Sequence, residues 1–222
     1  MKNGTKSNLT VSASQEMVVG VDVGGGSKGF HAVALKDGFY HGRFKSCDAA
    51  ELAQWCAKTL RASMIAVDAP CRWSITGKSR PAERELQGRG IHCFFTPTRE
   101  VAEAHPGSYF AWMFNGEALF KALEKDYSLC RALPKPGERC CFETFPHAIT
   151  WHLRGGNADA KRKRSERLQL LEKYRIATEQ LTNIDWMDAA ICALAANIAA
   201  SGKALEAFGE DRTGFIITPG MA

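Results

Sequence analysis

Four carboxylates of this chain stand where its pattern is otherwise apolar, and any fold it adopts has to accommodate them. Asp22 interrupts the run opened by Met17-Val18-Val19-Gly20-Val21. Asp68 ends Met64-Ile65-Ala66-Val67, and Glu143 follows Cys140-Cys141-Phe142. Asp188 lies inside the apolar stretch from Ile184 to Ala200. A buried carboxylate without a partner is costly and takes up a proton rather than stay charged. Four acids converging on one point would repel each other unless cations lay between them. The pattern points to a metal-dependent enzyme.

The surrounding pattern says where these acids would sit. Glu16 to Asp22 reads as a buried strand, Gly24 to Ser27 as a turn, and Phe30 to Leu35 as a second strand. Lys36-Asp37-Gly38 carries the Asp-Gly signal of a hairpin, returning as a third strand over Phe39 to Lys45. Asp48 is placed to cap a helix from about Ala49 to Arg61, and Met64 to Asp68 follows as a strand. Reaching that strand through a helix predicts that it runs parallel to the first. Helices are expected over Arg80 to Arg89 and Ser108 to Tyr127, then a strand over Arg139 to Thr144. Further helices are expected over Pro146 to Leu153, Lys163 to Tyr174, Ala177 to Leu181 and Ile184 to Ser201, with a short edge strand over Phe215 to Thr218. This succession is similar to that of the α/β ribonuclease H-like fold. That fold is a mixed sheet, with an antiparallel three-stranded meander plus parallel strands, flanked by helices. Residues 16–222 are expected to form one such domain with a helical insertion at about 70–138, preceded by a polar, disordered tail over 1–15.

Composition excludes several classes. A net charge of +5 over 222 residues permits a polyanionic partner without demanding one. No apolar stretch reaches the roughly 20 residues of a membrane span, and a cytoplasmic protein is expected. The eight cysteines are scattered, apart from the adjacent Cys140-Cys141, and none forms a Cys-x-x-Cys pair. That favours reduced, structural thiols over a disulfide framework or a zinc site.

Each acid also has an innocent explanation. Asp22 with Gly24-Gly25-Gly26-Ser27-Lys28 reads as a metal ligand beside a close-approach turn, as a phosphate cradle, or as a solvated hairpin. Asp68-Ala69-Pro70 and Glu143-Thr144-Phe145-Pro146 share one design: apolar strand, acid, proline stop. At the C-terminal edge of an open α/β sheet, that is where ligands bind. Asp185 and Asp188 share a helix face, but Asp185 has the ready explanation of a first-turn acid. Among the basic residues, Lys28, Arg80, Arg84, Lys161 and Arg164 are candidates for contacting phosphates. A solvated helix start is the bland reading of the run Lys161-Arg162-Lys163-Arg164-Ser165-Glu166-Arg167.

The ordered series resembles the family known as domain of unknown function 429, predicted nucleases with a ribonuclease H-like fold. The matching pieces are Gly20-Val21-Asp22, Val67-Asp68-Ala69-Pro70, Arg80-Pro81 through Arg84 to Phe95-Thr96-Pro97, Glu143-Thr144-Phe145-Pro146, Lys163 to Leu171, and Asp185-Trp186-Met187-Asp188. The resemblance implies that Asp22, Asp68, Glu143 and Asp188 are the metal-binding acids, with Asp185 an auxiliary or substitute ligand, and that nucleic acid is the partner and substrate; a pair of Mg²⁺ or Mn²⁺ ions held by such carboxylates would hydrolyse its phosphodiesters. Two departures bear on the substrate: Lys28-Gly29-Phe30, where an aromatic often follows the glycines, and Ala82-Glu83, where a Cys-Asp pair is common. Two other functions fit the residues. The glycine run would suit an actin-like or sugar-kinase-like ATP phosphotransferase, and the modest charge would suit a nucleic-acid-binding protein without activity.

Overall fold

The computed structural model describes residues 16–221, so the expected tail over 1–15 lies outside the described residues. Strand β1 (Met17–Val23) pairs antiparallel with β2 (Phe30–Lys36), which pairs antiparallel with β3 (Phe39–Ser46). Between β2 and β3, Asp37 and Gly38 both adopt positive φ, as a two-residue hairpin turn requires. Helix α1 (Ala49–Gln54) is capped by the Asp48 side chain, which accepts from the amides of Ala50 and Glu51. It continues through a wider turn over Trp55–Thr59 before β4 (Met64–Asp68), which runs parallel to β1.

The segment between β4 and β6 (Cys140–Glu143) holds helices α2 (Pro81–Gly88), α3 (Arg99–Ala104) and α4 (Ala111–Leu123) and the short strand β5 (Ser128–Leu129). Helices α5 (Pro146–Leu153), α6 (Lys163–Lys173) and α7 (Ile184–Ala200) follow, then strands β7 (Leu205–Glu210) and β8 (Gly214–Pro219). The sheet order is β3-β2-β1-β4-β6-β8-β7, with β5 also paired to β6. Strands β1, β4, β6 and β8 are parallel, and β2 and β7 are antiparallel to their neighbours. This is a mixed α/β sheet of the ribonuclease H-like kind, with helices on both faces.

Alternation along the strands divides the apolar residues between the two faces. Val19 and Val21 of β1, with Ile65 and Val67 of β4, face α1 and α4. Val18 of β1, Val33 of β2 and Ala66 of β4 face α7. The approach of α7 is unusually close because Gly20 has no side chain. A Cβ there would fall 1.9 Å from the backbone N of Ala193 and 2.2 Å from the carbonyl O of Ala189. Small residues on α7, among them Ala189, Ala190 and Ala193, complete the fit.

The differences from expectation lie in the C-terminal third and the insertion. The expected edge strand near Phe215 is paired on both sides, because β7, not anticipated, covers it. No helix forms over Ala177 to Leu181; a turn closes there through the Leu181 amide to the Thr178 carbonyl. That segment is too short to hold helical structure without packing. Helix α3 was hidden by its polar sequence, with only Ala102 buried. Among the described residues no helix is long and apolar enough to cross a membrane.

The Gly20 contact yields a test. Gly20→Ala drives a methyl into main chain that has no rotamer to yield, and is expected to lower unfolding free energy by about 3 kcal/mol. Chemical denaturation of the two proteins measures it. Equal midpoints would mean that α7 is not seated on β1 as described.

Candidate metal centre and its cleft

Register decides which acids meet. Asp22 and Asp68 are direct partners across the parallel β1–β4 pair, so their side chains leave the same face. That face is covered by α7, and Asp188 lies one turn into that helix. Asp22, Asp68 and Asp188 each offer a carboxylate oxygen, and these oxygens lie within 4.8 Å of one another. Asp22 and Asp68 are half-buried at the C-terminal ends of their strands, and Asp188 is buried. Both strand acids open into a cleft of about 430 Å³.

Crowding and burial act on the protonation of these acids. Burial, with the charges of Asp188 and Asp185 nearby, pushes the Asp22 carboxyl up to about 8. Burial, followed by Asp22 and Asp188, raises Asp68 well above the usual carboxylate range. Asp188 rises only to about 6: burial raises it, but Arg167 and Lys163 draw it back. Arg167, itself buried, makes an ionic contact to Asp188. Among the described residues one buried cation, Arg167, contacts the set of three carboxylates, through Asp188, which leaves an excess of negative charge there when all are ionised. A carboxylate set of this kind can hold a metal ion.

Glu143 sits elsewhere. Val67, not Asp68, is its partner across β4–β6, so its side chain leaves the opposite face of the sheet. There Arg80 Nη1 donates to Glu143 Oε2 at 2.8 Å and Nη2 donates to Oε1. The Cys71 amide also donates to Oε2, at 2.8 Å. Arg80 Nε donates to Glu83 Oε1 at 2.8 Å, and Glu83 further accepts from the amides of Arg80 and Thr96. All three side chains are almost fully buried. Such a network is tolerated inside a protein because each charge is paired and hydrogen-bonded. Glu143 borders the same cleft as Asp22 and Asp68, but its oxygens are taken by Arg80 and Cys71.

The remaining sequence candidates are spread out. Asp185 stands in the first turn of α7, its Oδ1 3.7 Å from Lys28 Nζ, and both border the cleft. Arg80, expected as a phosphate clamp, is buried and engaged by Glu143 and Glu83. Arg84 donates to the Ser79 carbonyl at 2.7 Å and holds the loop before α2. Lys161 and Arg164 are exposed and do not line the cleft. Within that run, the charges of Arg167 and Lys163 are the ones that reach Asp188.

Sequence reasoning missed the roles of four features. Arg167 shares the inward stripe of α6 with Leu170 and Leu171, so its spacing carried the signal that it is buried. Glu83 lies three residues after Arg80, the spacing of a helix-start pair. His31 alternates with Val33 and Leu35 on β2 and thus faces α7, where burial holds its imidazole below its usual pKa. Phe94, Tyr109 and Trp112 form an aromatic wall on the cleft, with Phe94 centred 6.5 Å from Tyr109 and 6.1 Å from Trp112.

Comparison with known proteins gives a consistent but spare picture. No curated protein matches the chain. Among solved structures, the chain is similar to one described as "Thermus thermophilus RuvC structure", at 14% identity and a TM-score of 0.44, over 83% of this chain and 96% of that one. The strand order, rather than this distant likeness, defines the fold. A family model matches residues 20–213, which include every acid discussed above, and the chain belongs to the family described as "Protein of unknown function (DUF429)".

Proposed function

We propose that the protein is a metal-dependent nuclease. The observation that carries this reading is the convergence of Asp22, Asp68 and Asp188, the first two opening into a cleft. Three crowded carboxylates against one buried arginine are short of positive charge, and divalent ions such as Mg²⁺ or Mn²⁺ fit that donor set. Bound there, such ions supply activation of a water and stabilisation of the leaving oxygen in phosphodiester hydrolysis. Asp22 and Asp68 are fixed by the sheet, so they would hold the centre rigidly. Arg167 orients Asp188 and tempers repulsion within the set.

The cleft supports a nucleic-acid substrate. Phe94 is 65% exposed and Tyr109 55%, so both aromatic side chains are accessible to an unpaired base. Lys28, at the same cleft, supplies a flexible cation for a phosphate. The phosphate-cradle reading of the glycine run is less well supported: the Gly24 amide already donates to the Gly29 carbonyl at 2.8 Å.

Cleavage of single-stranded, duplex and hybrid substrates with Mg²⁺ or Mn²⁺ tests the proposal. Asp22→Asn and Asp68→Asn are each expected to lose about 100-fold or more in rate. Variants that cleave as fast as the parent would sink the reading.

The raised carboxyls also predict a pH dependence. The unfolded chain ionises Asp22 near 3.8 and the folded one at about 8, so folding takes up a proton between those values. That contribution is complete below the lower value and is lost as pH rises through the upper one. The Tm of metal-free protein should therefore fall between about pH 6 and about pH 8, and less so in Asp22→Asn. Mn²⁺ should offset the fall. A parallel Tm profile for the two metal-free proteins would contradict it.

Arg80 and Glu143 are expected to separate from the aspartates. Arg80→Ala leaves two buried carboxylates without their partner and should cost about 3–5 kcal/mol of stability. Asp68→Asn removes repulsion instead, and should lose the metal held between the three aspartates with no loss of stability. Denaturation and metal titration of both variants distinguish the roles.

A further inference from the structure

We infer that Asp22, His31 and Asp185 form a second cation position, sharing Asp22 with the Asp68–Asp188 side, and that its imidazole ligand selects a transition metal such as Mn²⁺ over Mg²⁺. The inference rests on the acidic centre being a metal site, as proposed above, and adds a ligand and a selectivity.

The geometry comes from three elements. Asp22 and His31 are direct partners across the antiparallel β1–β2 pair, so both leave the sheet toward α7. Asp185 reaches the same point from the first turn of that helix. Each offers one ligand atom, and the three atoms lie within 4.8 Å of one another.

The state of His31 is the independent observation. Its residue is only 3% exposed, and its Nδ1 is buried with no hydrogen-bond partner among the described residues. An unpartnered buried ring nitrogen is costly, and structural histidines are normally hydrogen-bonded. The ring is held by an edge contact to Trp186, with centroids 4.6 Å apart and planes at 86°. That contact fixes the imidazole without satisfying its nitrogen. A cation between His31 and the two carboxylates would give the imidazole a partner. Lys28, whose side chain is 66% exposed, stands 3.7 Å from Asp185 as a movable counter-ion and is not rooted in the core.

Ligand type then sets the metal. An all-oxygen set suits Mg²⁺, whereas imidazole favours first-row transition metals. Mn²⁺ is expected to bind this position at least about tenfold more tightly than Mg²⁺.

Electron spin-echo spectroscopy of the full chain loaded with Mn²⁺ alone tests this, comparing ordinary protein with protein carrying ¹⁵N-histidine. A nitrogen coupling that changes with the label, and disappears in His31→Gln, is the expected result. Asp185→Asn, altered at the cleft rim, should weaken the same signal if the core variant fails to fold. Asp68→Asn should leave the coupling in place while removing a separate equivalent of Mn²⁺ in titration. Bound Mn²⁺ with no nitrogen coupling, or a coupling that survives His31→Gln, overturns this second position and leaves the aspartate centre standing. Protein that binds no Mn²⁺ overturns both.

Discussion

The contact between Gly20 and the backbone of α7 is the constraint on which the rest of the molecule turns. Helix–sheet packing ordinarily leaves room for a layer of side chains, and here one position of that layer is missing. A Cβ at Gly20 would meet main chain at 1.9 Å, so the helix rests directly on the central strand. Asp22 is two residues further along β1, and Asp185 and Asp188 are on the turns of α7 just before that contact. The intimacy of strand and helix is what brings acids from both into one centre. The fold and the centre are therefore products of the same glycine and the same alanine-rich helix face.

Sheet parity then sorts charge to the two sides of the molecule. Toward α7 lie the three aspartates, with Arg167 the buried cation that contacts the set, through Asp188, among the described residues, a set deficient in positive charge. Toward α2 lie Glu143 and Glu83, each paired with Arg80 and further hydrogen-bonded to main-chain amides. The second set is closed: its donors and acceptors satisfy each other within the protein. The first is open, with raised carboxyls on a cleft and a buried imidazole lacking a partner. Closed charge networks hold a structure together, while open ones invite a ligand. The two sets border one cleft, whose lining includes Arg80, Glu83 and Glu143 of the closed network.

Much of this was legible in the chain. The meander, the parallel β4 and the buried α7 follow from apolar periodicity and from turn chemistry such as Asp37-Gly38. The expectation of acids at strand ends came from Asp22 and Asp68 interrupting or ending apolar runs. Glu143 had the same local signature, an apolar strand followed by acid and proline, yet it differs in kind. Its difference is one residue of register: Glu143 lies opposite Val67 and not opposite Asp68. A single-residue offset moves a side chain to the other face. Nothing within Cys140-Cys141-Phe142-Glu143 reports that offset, because β4 and β6 are joined by a long insertion whose length does not set their register.

The sequence by itself determined which residues are too polar for their surroundings, and hence that carboxylates would be buried. It also determined the local elements that carry them, since periodicity and capping are properties of neighbouring residues. Only the tertiary structure decided which charges share a face, which are already paired, and which remain open. Arg80 and Arg167 illustrate the division: both read as surface cations on polar helices, and both are buried against acids from distant segments. Pairing of that sort depends on strand register and helix approach, which are set by contacts far apart along the chain.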